Sequence, residues 1–173
     1  MLEPLMRAGR CGCRRPRGLT LLELMVALAI VAVMMTLALP SFGSILARHR
    51  LKAAAEQLAA DLGDLRLQAA QRGVPLHLHF EHGASWCYAL ATAGGCDCRI
   101  TQACQLKTVQ GQEHPGVTLV EGRDLLLGST ALAGGGGALL QGSRGAQLRV
   151  GLTPLGRPKI CSPGAAVAGY PGC

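Results

Sequence analysis

Aromatic residues are scarce in this chain of 173 residues and make up only 3% of it. The whole set is Trp86, Tyr88, Tyr170, Phe42 and Phe80. A small core must therefore be built from Leu, Val, Ile and Ala, and disulfides would help to stabilise it. Charge is missing from one long stretch, because residues 24–47 contain no Asp, Glu, Lys or Arg. Such a stretch predicts a helix that meets an apolar environment.

The sequence motifs that mark common enzymes and metal sites are also absent. The glycine run at residues 133–138 contains no Gly-Lys-Ser/Thr phosphate loop, which disfavours a nucleotide site. His77, His79 and His82 lack the helical His-Glu-x-x-His spacing, so we interpret them as a solvated strand face. No Cys-x-x-Cys pair occurs, which disfavours a zinc ribbon and a thiol oxidoreductase. We therefore predict that the protein is not an enzyme and uses no metal and no cofactor.

A basic leader precedes the uncharged stretch. Five of the 17 Lys and Arg residues, but one of the ten Asp and Glu residues, lie within residues 1–18. Positive charges ahead of an apolar segment keep the N-terminus in the cytoplasm and send the following chain outward. We interpret residues 1–18 as a processed leader and exclude them from the fold. The chain after about residue 40 is predicted to be extracytoplasmic.

The junction between leader and apolar stretch reads Gly18-Leu19-Thr20-Leu21-Leu22-Glu23. Burying the Glu23 carboxylate in lipid without a partner would cost on the order of 3 kcal/mol. A cut after Gly18 would create an α-ammonium at Leu19, which Glu23 of a neighbouring subunit can neutralise. This pairing would favour assembly over the monomer. The alternative is an ordinary signal anchor, but a secretory signal is cut after its apolar segment and not before it.

This junction resembles the processing site of type IV prepilins and type II secretion pseudopilins. The resemblance implies that a prepilin peptidase cuts after Gly18 and methylates the new amino terminus at Leu19, which replaces the more usual phenylalanine. It also implies assembly with other pilins or pseudopilins through the N-terminal helix, from the inner membrane into a filament.

One long helix is predicted from residue 19 to residue 72. Residues 19–39 have about the length that crosses a bilayer, and Pro40 is expected to kink or loosen the helix. Residues 40–72 are predicted to be amphipathic and to lie against a domain, because apolar residues recur at spacings of three and four. The apolar face is Leu51, Ala55, Leu58, Leu62, Leu65 and Ala69, and the opposite face is Arg50, Lys52, Glu56, Asp61, Asp64 and Arg66.

The body at residues 73–173 changes to the period of β-strands. Leu76, Leu78 and Phe80 alternate with histidines, which predicts a half-buried strand. The glycine run at 133–138 is predicted to be a mobile surface loop. Together the patterns predict an α+β fold, in which the long N-terminal helix packs on a small antiparallel sheet. Further short strands are predicted at 86–91, 117–120, 138–141 and 147–152.

Six cysteines of the body predict disulfides in an oxidising compartment. We expect Cys161 and Cys173 to pair first, because that bridge would hold a turn-rich segment against the sheet. The other four cysteines admit three pairings, which the sequence leaves open: Cys87, Cys96, Cys98 and Cys104.

The C-terminal third is basic. No Asp or Glu follows Asp124, whereas four cations do: Arg144, Arg149, Arg157 and Lys159. Clustered cations can contact the phosphates of any DNA sequence. Residues 155–159 resemble the Gly-Arg-x-Arg segment of FimT-type minor pilins, which contacts DNA during natural transformation, although Lys159 lacks the bidentate fork of arginine. The alternative is that these cations only solubilise an exposed edge.

The plan of a helix followed by short strands, with the Gly156-Arg157 segment, further resembles the FimT/GspH group. The sequence therefore predicts a minor pilin or pseudopilin, a structural and assembly subunit of a type IV pilus or of a type II secretion filament. The alternative function is a DNA receptor in natural transformation. The predicted location is the bacterial inner membrane, single-pass, with a cytoplasmic N-terminus and a periplasmic body.

Overall fold

The computed structural model describes residues 20–128, 132–133, 136–164 and 167–173, without the side chains of 37–41 and 132–133. It contains two compact units, of which the first ends at Pro40 and the second begins at Ser41. Helix α1 covers Leu21–Arg72 and contributes to both units. Because α1 continues through Pro40, the proline does not end the helix. The kink expected there stays a prediction.

The second unit contains the strands. A short 3-10 turn at Gly111–Glu113 separates β3 from β4. Nine strands lie in the described part of the chain: β1 (Leu76–Glu81), β2 (Cys87–Ala91), β3 (Gln105–Gln110), β4 (Val117–Arg123), β5 (Leu125–Leu127), β6 (Leu132–Ala133), β7 (Gly137–Gly142), β8 (Gln147–Leu152) and β9 (Pro158–Cys161).

These strands form two antiparallel sheets. The first has the order β3-β2-β1-β5-β6 and the second has the order β4-β7-β8-β9. The predicted α+β fold, a long N-terminal helix followed by a small antiparallel body, is confirmed. The five predicted strands correspond to β1, β2, β4, β7 and β8, whereas β3, β5, β6 and β9 were not predicted.

The second half of α1 buries the predicted apolar face. Leu51, Leu58 and Leu62 are at most 1% exposed and share one core with apolar residues of both sheets. Each buried leucine contributes roughly 1.5–3 kcal/mol relative to an exposed one. The same core includes Trp86, whose Nε1–H donates to the Val117 carbonyl oxygen at 2.8 Å, so the polar atom of this large ring has a partner.

Asp61 was predicted to lie on the polar face of the helix, opposite the apolar face, but it is buried. The residue is 3% exposed. Its Oδ2 accepts a hydrogen bond of 2.8 Å from the Tyr88 hydroxyl of β2, and its Oδ1 accepts one of 2.5 Å from Lys107 Nζ of β3. These donors replace the water that a buried carboxylate loses. Burial, together with the Asp61 charge, raises the pKa of Tyr88 above its ordinary value, so the hydroxyl stays a donor.

The glycine run was predicted to be a mobile loop, and part of it is strand. Gly134 and Gly135 lie outside the described residues, whereas Gly137 begins β7. A Cβ at Gly137 would collide with the Val150 carbonyl oxygen of the neighbouring strand. A Cβ at Gly136 would lie 2.5 Å from Leu125 Cγ. Glycine is therefore required at these two positions because other atoms approach the backbone closely.

Within the described part of the chain, none of the helices has the combination of length and apolar character that crossing a membrane requires. The predicted span over residues 19–39 stays a prediction. Residue 19 and the side chains of residues 37–39 lie outside the description.

Candidate functional site

Thr20 forms the N-cap of α1. The Glu23 N–H donates to Thr20 Oγ1 at 3.2 Å, and the Leu24 N–H donates to the Thr20 carbonyl oxygen at 3.2 Å. This geometry is that of an N-cap threonine, and it places Glu23 in the first turn, where the helix dipole favours a carboxylate. Our sequence analysis missed the cap, although the Thr-x-x-Glu spacing of a capping box was visible.

The N-terminal half of α1 is apolar and exposed. Gly18 and Leu19, the predicted cleavage and methylation residues, lie outside the described residues. Leu21 and Met25 are 77% and 63% exposed. Within residues 20–36, Glu23 is the one charged residue. An apolar helix exposed to this extent is a surface for lipid or for other helices.

Two of the four predicted basic residues lie on the outer face of the second sheet. Arg149 is on β8, and its Nη2 lies 3.3 Å from Glu121 Oε2 of β4. Lys159 is on β9 and pairs with Gly151, two residues beyond Arg149 on β8. Because residues two apart on a strand share a face, Arg149 and Lys159 are neighbours on this surface. The Glu121 carboxylate offsets part of their positive charge.

The other two basic residues lie near opposite ends of β8. Arg144 precedes the strand, in the turn after β7, and Arg157 follows it, in the turn before β9. A six-residue strand is roughly 20 Å long, so Arg144 and Arg157 do not form one cluster. The four residues therefore lie at different places along β8, with Arg144 at the opposite end from Arg157, and their role as one basic surface stays a prediction.

The turn before β9 is held by several hydrogen bonds. The Arg157 N–H donates to Thr153 Oγ1 at 3.0 Å, and the Thr153 N–H donates to the Arg157 carbonyl oxygen at 2.9 Å. Arg66 of α1 donates from Nη1 to the Gly156 carbonyl oxygen at 3.2 Å. The structure thus adds a cation beside Arg157 that our sequence analysis did not connect with it.

The six cysteines of the body form three disulfides. Cys161 is joined to Cys173, the pair that we expected first. This bridge ties β9 to the last residue, and the Cys173 N–H donates to the Ser162 carbonyl oxygen at 3.1 Å. The other two disulfides correspond to one of the three pairings that the sequence left open: Cys87–Cys98 and Cys96–Cys104.

His79 was interpreted as part of a solvated strand face, but it bridges two carboxylates. Its Nδ1 lies 2.5 Å from Asp124 Oδ2 and its Nε2 lies 3.1 Å from Glu81 Oε1. Burial lowers the pKa of His79, but the two carboxylates outweigh burial and raise that pKa above 6.5. Arg99 Nη2 lies 2.6 Å from Glu81 Oε2 and completes the network. No three His, Cys, Asp or Glu residues of the described part are grouped to hold a metal ion.

Comparison with known proteins identifies the N-terminal region. The model of the prokaryotic N-terminal methylation motif matches residues 13–39, which include Gly18, Leu19 and Glu23. No curated protein and no solved structure matches the chain. The motif implies processing by a prepilin peptidase and assembly with other pilins. The chain therefore carries a type IV pilin-like leader.

Proposed function

We propose that the protein is a minor pilin or pseudopilin, a structural and assembly subunit of a type IV pilus or of a type II secretion filament. The observation that carries this proposal is the methylation motif at residues 13–39. The exposed apolar side chains of the following helix support it, because they need lipid or neighbouring helices to cover them. The small body with three disulfides suits an oxidising compartment outside the cytoplasm.

In the proposed mechanism, the apolar N-terminal segment anchors the subunit at the inner membrane, with the leader in the cytoplasm and the body in the periplasm. Cleavage after Gly18 makes Thr20 the second residue of the mature chain, so the new α-ammonium lies at the N-terminus of α1. The helix dipole disfavours a positive charge there. Glu23 of a neighbouring subunit neutralises it, and Pro40 gives the helix the freedom to bend while the subunits pack.

The processing step can be tested by one substitution and a matched control. Gly18→Ala is expected to leave an uncut precursor, because the peptidase of this family needs the small residue before the cut. Gly12→Ala is the same substitution outside the matched motif and should be processed normally. Intact mass spectrometry measures both. A mature protein that begins at Leu19 in the Gly18→Ala variant would refute the proposed cut.

The proposed role of Glu23 in pairing between subunits can be distinguished from its role in the helix cap. Glu23→Gln keeps the length and the capping ability of the side chain but removes its charge. The proposed pairing predicts that this variant is cleaved normally and enters filaments at least tenfold less than the wild type, as measured by immunoblotting of sheared filaments. Incorporation at the wild-type level would show that Glu23 serves only the cap.

A second candidate function is DNA capture by the turn before β9. The contact between Arg66 and Gly156 favours it, because it places another cation beside Arg157. The ion pair between Arg149 and Glu121 and the distant position of Arg144 count against it. A gel shift with the processed full-length protein tests it: binding at low salt should fall with Arg157→Ala plus Lys159→Ala and with rising salt. No shift at low salt would remove this function.

A further inference from the structure

One buried histidine has no part in the proposed function. His114 lies in the connection between β3 of the first sheet and β4 of the second, directly after the 3-10 turn at Gly111–Glu113. It is 8% exposed, and its Nε2 is buried with no hydrogen-bond partner among the residues that the structure describes. A buried polar atom without a partner costs free energy, so stability alone does not explain a histidine at this position.

Trp86 covers one side of the His114 ring. The two rings are nearly parallel, at an angle of 9°, and their centres are 6.3 Å apart. Trp86 is itself 3% exposed. Its carbonyl oxygen accepts a hydrogen bond of 2.7 Å from the Gly111 N–H, and its Nε1–H donates to the Val117 carbonyl oxygen. Because Gly111 begins the connection and Val117 begins β4, Trp86 is bonded to both ends of the connection.

Further hydrogen bonds hold the connection in this closed form. The His114 N–H donates to the Gly111 carbonyl oxygen at 3.1 Å, and the Val117 N–H donates to the His114 carbonyl oxygen at 3.0 Å. From α1, Arg50 Nη1 donates to the Pro115 carbonyl oxygen at 3.4 Å. Both sheets and α1 therefore meet at residues 111–116. An outward movement of His114 would break these bonds and loosen the contacts among the three elements.

Few charged groups face the His114 ring. Glu113, the preceding residue, is the carboxylate whose charge acts on the ring. Arg50 is the cation that α1 brings to the connection. Tyr88 of β2 lies within range of the Glu113 charge, but its hydroxyl stays neutral and donates to Asp61. The remaining neighbours from the segment before β2, from β4 and from the turn between β7 and β8 are uncharged: Trp86, Val117 and Ser143.

A protonated ring does not suit this position. An imidazolium carries an N–H on both ring nitrogens, so Nε2 would become a charged donor to which the described residues offer no acceptor. Burial lowers the pKa of His114 below 6.5, and the Glu113 charge offsets only part of this effect. The neutral ring therefore contributes fully to the closed form above pH 6.5. That contribution is lost as the pH falls from 6.5 towards the lowered value.

We propose that His114 is a proton-sensitive switch, whose ring leaves the stack on Trp86 in acid and opens the connection at residues 111–116 to water. The buried nitrogen, the ring stack and the hydrogen bonds that meet at the connection carry this inference, which does not depend on the proposed function. Opening would expose Trp86 and release the contact with Arg50. Acid would thus loosen the junction of α1 with the two sheets, while the three disulfides stay intact.

The fluorescence of Trp86 reports on this position, because the chain contains one tryptophan. The test measures how far acrylamide quenches that fluorescence in the full-length protein, kept in a non-ionic detergent, as the pH is lowered from 8 to 5. The access of acrylamide to Trp86 should increase below pH 6.5. Because one proton is taken up, the population of the open form should rise by at most about tenfold per pH unit.

Three variants assign the effect. His114→Phe keeps a ring on Trp86 but takes up no proton, so the access of acrylamide should no longer depend on pH. His49→Phe is the same change at an exposed histidine of α1 and should behave like the wild type. Glu113→Gln keeps an acceptor for the Gln110 N–H but removes the charge that favours a protonated His114, so it should open further in acid. Glu113→Gln decides the test if circular dichroism shows that His114→Phe does not fold.

Several outcomes would overturn the proposal. Access that increases in acid in the His114→Phe variant would assign the effect to another group. Weaker Trp86 emission in acid without greater access of acrylamide would show that His114 is protonated inside a closed connection. Loss of the far-ultraviolet circular dichroism signal at the same pH as the rise in access would show acid unfolding of the whole body. Glu113→Gln that opens no further than the wild type would show that the His114 charge does not drive the opening.

Discussion

The two halves of α1 differ both in apolar content and in the exposure of their apolar side chains. In the first half, within residues 21–36, apolar side chains point all round the helix and Leu28 is 61% exposed. In the second half, Leu62 is 1% exposed because one face packs into the core of the body. A helix gains most of its stability from packing of its apolar face. The second half therefore obtains that packing within this chain, whereas the apolar side chains of residues 21–36 are exposed in the described part of the chain.

The largest expected effect on stability is the difference between the same Leu→Ala substitution in the second half of α1 and in the first half. Leu62→Ala should lower the free energy of unfolding of the detergent-solubilised subunit by about 3 kcal/mol, because it leaves a cavity in the core. Leu28→Ala should change it by less than about 0.5 kcal/mol, because that side chain is exposed. Denaturant unfolding followed by circular dichroism measures both. Similar losses in the two variants would contradict the difference between the halves.

A smaller loss of stability is expected when the buried carboxylate in the second half of α1 is removed. Asp61→Ala should cost about 2 kcal/mol, since it leaves the Tyr88 hydroxyl without its acceptor and removes the ion pair with the partly exposed Lys107. In the Tyr88→Phe background the same substitution should cost less, because the hydroxyl is already gone. Additive effects of Asp61→Ala and Tyr88→Phe would show that the two residues do not act together across helix and sheet.

The smallest expected effect is the pH dependence of the unfolding free energy of the body that His79 causes. Its pKa is raised above 6.5 in the folded protein, so its stabilising contribution is complete below pH 6.5 and is lost as the pH rises through the raised value. The difference in unfolding free energy between wild type and His79→Gln should therefore be larger at pH 5.5 than at pH 8.5. Between these two pH values we expect that difference to change by about 1 kcal/mol or less, because solvent screens the charges. A difference in unfolding free energy that grows with pH would contradict the bridge that His79 forms between Asp124 and Glu81.

The buried face of α1 could be predicted because its signal is local. Residues three and four apart on a helix share a face, so the spacing from Leu51 to Ala69 was sufficient. The burial of Asp61 could not be predicted in this way, since its donors Tyr88 and Lys107 lie 27 and 46 residues away. Strand β3 was also missed because only one of its residues, Val109, is buried, so it lacks the alternating pattern of β1.

For the candidate site, too, the sequence was sufficient only where the residues that carry the signal are contiguous. The junction from Gly18 to Glu23 is contiguous, so its match to the methylation motif needed no tertiary information. The grouping of cations depends on strand register, which composition does not contain. Arg144 and Arg157 are 13 positions apart in sequence, and β8 places them at opposite ends of a strand. Arg48 and Arg144 are far apart in sequence, and the fold brings them to one cleft.

The two disulfides of the first sheet overlap in sequence, because Cys96 lies between Cys87 and Cys98, and Cys98 lies between Cys96 and Cys104. A single backbone cut anywhere between residues 87 and 104 therefore leaves the two pieces joined by at least one covalent bridge. The same holds for a cut between Cys161 and Cys173. A subunit nicked by a protease in either segment would remain one covalent molecule, and a pulling force along the chain would pass through sulfur atoms across the break.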